Sequence, residues 1–172
     1  MNKEHEPRRD ELTLQEVTRL AQEVILREGA HLPTVIAEGS EQTAITQIAY
    51  PAGTHEERAQ QLFIAGFMLA QSRLVGRLEQ VFFIAEGWMS EAEEGRLPEY
   101  PPSRDPRRKE ILFISSLKLR SHESDLALFE MLRDGQGQLI ELRAHQPPAD
   151  HVTVESPLLT AFVAGFYAAT EG

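Results

Sequence analysis

Two glutamates stand at the edges of a loop between apolar segments, where their type and position could support acid–base chemistry. Glu86 closes the segment VFFIAEGW, and Glu110 opens the segment EILFISSL. A carboxyl group among apolar neighbours can have a raised pKa and act as a general acid or base. Carboxylates at strand ends more often pair with an arginine, so the sequence favours an ion pair over catalysis at both positions.

The loop itself supplies candidate partners for such pairs. Residues 86–110 read EGWMSEAEEGRLPEYPPSRDPRRKE, an acidic run followed by prolines and a short basic stretch. The basic residues are Arg104, Arg107, Arg108 and Lys109. They predict solvated or internally paired side chains. A small anionic ligand bound at 104–109 is the alternative, because clustered cations can hold a phosphate or a carboxylate.

Trp88, the only tryptophan of the chain, lies two residues after Glu86. This spacing puts both side chains on one face of a strand. We expect Trp88 to stack on the prolines of YPP (100–102) and Glu86 to hold Arg107. An exposed loop ordered in this way is a good binding surface. The candidate binding residues are Glu86, Trp88, Arg104, Asp105, Arg107, Arg108 and Glu110. No catalytic residue is assigned.

Two motifs frame this loop: E-x-W at 86–88 and S-x-D-P-x-R-x-E at 103–110. In this arrangement the chain resembles a scattered group of small prokaryotic proteins in which a strand ending in E-x-W precedes a proline-containing loop, the second motif and another strand. The resemblance covers about half of the chain and implies no activity, since none is established for the group. The positions that it carries over are Glu86, Trp88, Asp105, Arg108 and Glu110.

Other familiar chemistries have no motif in this sequence. The chain has no cysteine, which removes disulfides, thiolate nucleophiles and cysteine-based zinc sites. The six histidines are not spaced to bring two imidazoles to one metal, and neither a nucleophile elbow nor a phosphate-binding glycine loop is present. We therefore expect neither a metal nor a cofactor, and the sequence favours a non-catalytic domain over an enzyme.

Charge and length narrow the class of protein. A net charge of −10 over 172 residues argues against a nucleic-acid partner, because phosphate contacts need a basic face. No apolar run is long enough to predict a transmembrane helix, so we expect no membrane partner. The polar N-terminus lacks the apolar run of a signal peptide, which predicts a cytoplasmic location.

The hydrophobic periodicity predicts one α+β domain over residues 11–172 after a disordered tail at 1–10. The expected order is α-β-β-α-β-β-β-β-α. Capping boxes at 13–16 and 54–57 mark two helix starts, Ser156–Pro157 marks the third, and Asp134–Gly135 marks a hairpin turn. Short connections predict a mainly antiparallel sheet of about six strands. We expect three helices against one face of it, in a two-layer domain.

Gly66 and Gly165 lie inside apolar helical segments, where glycine costs about 1 kcal/mol relative to alanine. Such a glycine usually allows close backbone approach, so we expect these two helices to pack on the sheet and against each other. A helix dimer face is the alternative, which the sequence favours less. The leading functional hypothesis is a domain that acts through protein contacts, as a homo-oligomer. The alternative is a small-ligand binder or enzyme that uses Glu86 with Arg107 or Arg108.

Overall fold

The computed structural model describes residues 11–49, 53–91, 100–146 and 157–170. In this part of the chain the helices are α1 (Leu14–Glu28), α2 (His55–Ser72) and α3 (Pro157–Thr170). The strands are β1 (Thr34–Gly39), β2 (Thr43–Gln47), β3 (Leu78–Met89), β4 (Lys109–Lys118), β5 (Ser124–Arg133) and β6 (Leu139–His145). A short 3-10 helix, Pro102–Arg104, precedes β4. The predicted α+β class and element order are confirmed.

The six strands form one sheet in the order β2-β1-β3-β4-β5-β6, and every neighbouring pair is antiparallel. The central strand β3 pairs with β1 on one side and with β4 on the other. Its middle is buried on both faces, as its continuous apolar run predicts. The mainly antiparallel sheet of six strands expected from the sequence is therefore confirmed.

The alternating side chains of β3 enter two separate hydrophobic clusters. Phe83 and its same-face neighbours pack with α2 and α3, which form one helical layer on the sheet. Phe82 and Ile84 pack with Val17, Ala21 and Ile25 of α1 on the opposite face. The sequence placed all three helices on one face, and α1 differs from that expectation. Because a central strand is apolar on both sides, its pattern does not show which face a given helix covers.

Side-chain caps fix the beginnings of α1 and α2. Thr13 accepts a hydrogen bond from the Glu16 backbone N–H at 3.2 Å, and the Glu16 carboxylate accepts the Thr13 backbone N–H at 2.9 Å. Thr54 and Glu57 form the same reciprocal pair at α2. Both predicted capping boxes are confirmed, and each satisfies amides that have no partner within the helix. Gly29 ends α1 in the left-handed conformation, with φ of 77°.

The α2–α3 pair is antiparallel and unusually close. A Cβ atom added at Gly66 would overlap the backbone oxygen of Phe162, and one added at Gly165 would overlap that of Phe63. The two helices therefore touch backbone to backbone at these glycines. The expected close packing of α2 against α3 is confirmed.

Two predicted turns differ in detail. In the β5–β6 hairpin, Gly137 rather than Gly135 takes the left-handed conformation, with φ of 81°. The Asp134 carboxylate accepts the Gln136 and Gln138 backbone N–H groups at 2.8 and 2.9 Å, which widens the turn. Helix α2 ends at Ser72, with Arg73 as its C-cap, earlier than the end near Gly76 that this glycine predicts. The predicted tail at 1–10 and the Ser156 cap lie outside the described residues.

Candidate functional site

Strand pairing brings three of the sequence-predicted site residues onto one face of the sheet. Trp88 of β3 lies opposite Glu110 of β4, and Glu86 lies opposite Leu112. Leu112 belongs to the hydrophobic cluster beneath α1. Glu86, Trp88 and Glu110 therefore form the end of the α1 side of the sheet, which we call the sheet-end cluster together with Arg108 and Arg133.

The D-P-x-R element is a tight turn built on Asp105. Its buried carboxylate accepts the Arg107 backbone N–H at 2.8 Å, and its carbonyl accepts the Arg108 backbone N–H at 3.0 Å. The backbone hydrogen bond from Arg107 is the largest of the effects that lower the pKa of Asp105. Arg107 also approaches this carboxylate through Nε, at 3.4 Å. Asp105 is thus a turn former whose charge has local partners.

Arg108 follows this turn, and its side chain covers the Trp88 ring. Its guanidinium carbon lies 4.3 Å from the centroid of the Trp88 ring, in a cation–π contact, and its Nη1 donates to the Ser103 carbonyl. The contact expected from the sequence was a stack of Trp88 on the loop prolines. The structure places an arginine on the ring, and 45% of Trp88 stays exposed. Trp88 is therefore a surface residue rather than a buried anchor.

Glu86 has a different partner from the one predicted. Its carboxylate accepts the backbone N–H of His31, in the segment between α1 and β1. The expected pair with Arg107 is wrong as a description of Glu86, because Arg107 contacts Asp105. The sequence could not indicate this contact, since a backbone donor 55 residues away leaves no trace in the side-chain pattern.

Glu110 forms a two-pronged ion pair that sequence reasoning missed. Arg133 of β5 donates through Nε and Nη2 to the two Glu110 oxygens at 2.8 and 2.7 Å. Arg133 also donates to the Gly29 carbonyl at 3.2 Å, which ties the end of α1 to the sheet. The hydrogen bond to Glu110 raises the pKa of Arg133 above its usual value. The predicted partners of Glu110, the loop arginines 104, 107 and 108, are replaced by Arg133.

Lys109 and Arg104, the remaining basic residues of 104–109, have surroundings different from those of Glu86. Lys109 contacts Glu91 at 3.1 Å and Glu130 at 3.9 Å, and its hydrogen bond lowers the pKa of Glu91. Arg104 is exposed in the short 3-10 helix. The structure thus brings together Glu86, Trp88, Arg108 and Glu110, and it does not bring Arg104 or Arg107 to the Glu86 carboxylate.

A groove of about 1300 Å³ lies at the other end of the sheet. It is lined by the loops after β1 and before β3, by the β4–β5 turn and by Tyr167 of α3. Its charges are mixed, and Arg77 pairs with Glu79 while Lys118 pairs with Glu11. None of the sequence-predicted site residues lines this groove. The polar residues expected to converge on a ligand are therefore not the residues around this space.

A second surface, on the two helices for which the sequence offers a dimer face as the alternative, has the opposite character. The outward side of α2 and α3, here called the helical face, carries large apolar side chains that remain open to solvent. Their exposed fractions are 38% for Phe63, 51% for Ile64, 61% for Met68 and 39% for Tyr167. Smaller exposed residues of α3 complete it: Thr160, Ala164 and Ala168.

The helical face is also free of charge over its whole central length. Residues 59–72 of α2 and residues 157–170 of α3 include no Asp, Glu, Lys, Arg or His. In a chain with 26% charged residues, two uncharged runs of 14 residues on adjacent helices are a signal that the sequence did contain. It can be found by asking whether each apolar helix has charged residues on any side.

No protein-family model matches this sequence, and no curated protein or solved structure matches it either. Within the described ranges, no helix is long and apolar enough to cross a membrane. No group of three or more His, Asp or Glu residues in the same ranges is placed to hold a metal ion.

Proposed function

We propose that this protein is a non-catalytic domain that acts through protein–protein contacts made by its helical face. The observation that carries the proposal is the exposure of Phe63, Ile64 and Met68 beside α3, where residues 59–72 and 157–170 include no charged side chain. Isolated exposed apolar residues are ordinary, whereas a contiguous apolar patch on a protein surface marks an interaction site. The cores of protein interfaces are likewise depleted of charge and enriched in aromatic residues and methionine.

The energetics support this proposal. Covering a large apolar side chain contributes about 25 cal/mol for each Å² removed from water, or about 1.5–3 kcal/mol for a side chain buried completely. Four half-exposed side chains on adjacent helices can therefore supply several kcal/mol to an interface core. The helices themselves need no further support, because their inner faces already fill a core with β1 and β3.

A ligand-binding or catalytic role for the sheet-end cluster has less support. A general acid or base needs a carboxyl group that is free to exchange a proton with substrate. Glu86 instead accepts a backbone hydrogen bond, and Glu110 accepts hydrogen bonds from Nε and Nη2 of Arg133. The charges of this cluster fasten the loop and the end of α1 to the sheet. The proposal retains the expected cytoplasmic setting.

Photo-crosslinking in the native host tests the proposed function. A photoreactive phenylalanine analogue replaces Met68 on the helical face in one strain and Leu26 on α1 in the other. Leu26 is the matched control because it is 54% exposed, close to the 61% of Met68. We expect discrete protein adducts from position 68 and only background from position 26. Equal adduct yields, or none from position 68, would overturn the proposal.

A further inference from the structure

We infer that the occupant of the helical face is a second copy of this chain. In this arrangement α2 of each copy lies over α3 of its partner, so that two helical layers pack between two sheets. The inference rests on the proposed function and names its partner. It is carried by the shape of the face, by its charge and by its size.

The two halves of the helical face differ in relief. Helix α2 presents three large side chains, Phe63, Ile64 and Met68. The exposed side of α3 presents the small residues Thr160, Ala164 and Ala168, with Tyr167 as its one large exposed side chain. A ridge beside a shallow strip is self-complementary under a two-fold rotation, which sets each ridge on the strip of the other copy. Closed two-fold dimers use this kind of self-complementary patch.

Charge favours a second copy over other occupants. The chain carries a net charge of −10, so two copies repel each other wherever acidic surfaces meet. The uncharged helical face lets them meet without placing like charges across the interface. A basic protein partner would be selected by acidic residues, and residues 59–72 and 157–170 have none.

A membrane surface fits the same face poorly. Helices that lie on membranes flank their apolar side with Lys and Arg, which attract anionic headgroups. Arg58 and Arg73 flank the uncharged run of α2, but Glu56 and Glu57 in its first turn offset their charge, and the runs of α2 and α3 themselves supply no cation. The composition of the helical face therefore points to protein rather than lipid.

The size of the face sets the strength of the contact. An uncharged run of 14 residues is about 21 Å long. Two adjacent helices are about 20 Å wide, which gives a footprint on the order of 400 Å² for each copy. This is at the low end for specific interfaces. We therefore expect a reversible dimer with a dissociation constant on the order of micromolar.

Sedimentation of the purified full-length chain tests this inference. The sedimenting mass should rise from the 19.4 kDa monomer toward twice that value as the protein concentration increases. Raising NaCl from about 0.05 M to about 0.5 M should tighten the dimer, because salt screens the repulsion between the acidic copies. A complex with a basic partner would weaken over the same range.

A matched pair of variants locates the contact. Ile64→Asp should raise the dissociation constant at least about tenfold, since it buries a charge in an apolar interface. Leu20→Asp on α1 should leave the constant unchanged, although Leu20 is 45% exposed and Ile64 is 51% exposed. Circular dichroism of both variants establishes that each remains folded.

Three outcomes would overturn the inference. One is a monomer at every concentration up to about 1 mM, well above the micromolar constant expected. Another is a dimer that Leu20→Asp weakens and Ile64→Asp does not. The third is flotation of the chain with phosphatidylcholine vesicles in place of self-association. If the chain is monomeric while position 68 still crosslinks to a different protein in the host, the inference fails and the proposed function stands.

Discussion

Helices cover both faces of the sheet, but the solvent-facing side of α1 differs from that of α2 and α3. Helix α1 buries Val17, Ala21 and Ile25, and the α2–α3 layer buries a larger cluster on the opposite face. The outward side of α1 is charged: two of its ion pairs are Arg19–Glu23 and Arg27–Glu28. The corresponding stretches of α2 and α3 carry no charge at all.

This contrast separates what folding requires from what it does not. Both helical layers have an apolar inner face, since the sheet must be covered on both sides. Leu20 and Leu26 of α1 are exposed too, but they alternate with charged neighbours and form no continuous patch. Nothing in the fold of the single chain requires residues 59–72 and 157–170 to lack charged side chains. The difference is therefore informative about a partner rather than about stability.

The largest expected effect tests how the α2–α3 layer is built. Gly165→Ala should lower the free energy of unfolding by about 1–3 kcal/mol, because the new methyl group meets the Phe63 backbone and forces the helices apart. Gly135→Ala is the matched control, since no atom lies within 4 Å of its added Cβ, and it should change stability by no more than about 0.5 kcal/mol. Urea titration measures both. Equal effects would show that the close helix contact is absent.

The second effect tests the ion pair between Arg133 and Glu110 on the α1 side of the sheet. Arg133→Met should cost about 1–3 kcal/mol, since it leaves Glu110 and the Gly29 carbonyl without their common donor. The double variant Arg133→Met/Glu110→Met should be more stable than Arg133→Met alone, because no unpaired carboxylate remains. A double variant as unstable as the single one would contradict this account of the ion pair.

The smallest effect is a pH dependence confined to the sheet-end loop. The hydrogen bond from the Arg107 backbone N–H lowers the folded-state pKa of Asp105 below its unfolded value near 4. Its stabilising contribution is therefore complete above about pH 4 and is lost as the pH falls through the lower, folded pKa. We expect Trp88 fluorescence to report opening of the loop on acidification. Asp105→Asn keeps an acceptor oxygen and should remove this Asp105-dependent part of the transition. An identical acid profile in both proteins would disprove the assignment.

The sequence predicted the elements well because their signals are local. The capping boxes at Thr13 and Thr54, the two helical glycines and the alternation within the strands each depend on a few neighbouring residues. The partners within the site were predicted poorly, because they are set by register. The β4–β5 pairing carries Arg133 to the end of the sheet, where it reaches Glu110 across 23 residues of chain. A backbone donor such as the His31 N–H has no sequence signature.

The exposure of the helical face could not be predicted from the sequence, for a different reason. Its two uncharged runs were visible in the sequence, but a largely apolar run without charge is also typical of a buried helix. Only the packing reveals that α2 and α3 cover one another and the sheet while leaving Met68 and Tyr167 exposed. Burial, rather than composition, thus separates a core helix from a docking surface.

Three methionines of the chain can be used to test the central claim, which is that two copies contact each other through the helical face. Met68 lies on that face, Met131 lies in the cluster beneath α1, and Met89 ends β3 beside the sheet-end cluster. Methyl-labelled methionine allows NMR spectra of the unmodified chain to be recorded over a dilution series. The account predicts that the Met68 methyl signal shifts or broadens with concentration while the Met89 and Met131 signals stay constant. A concentration-dependent shift at Met89 with Met68 unchanged would contradict it.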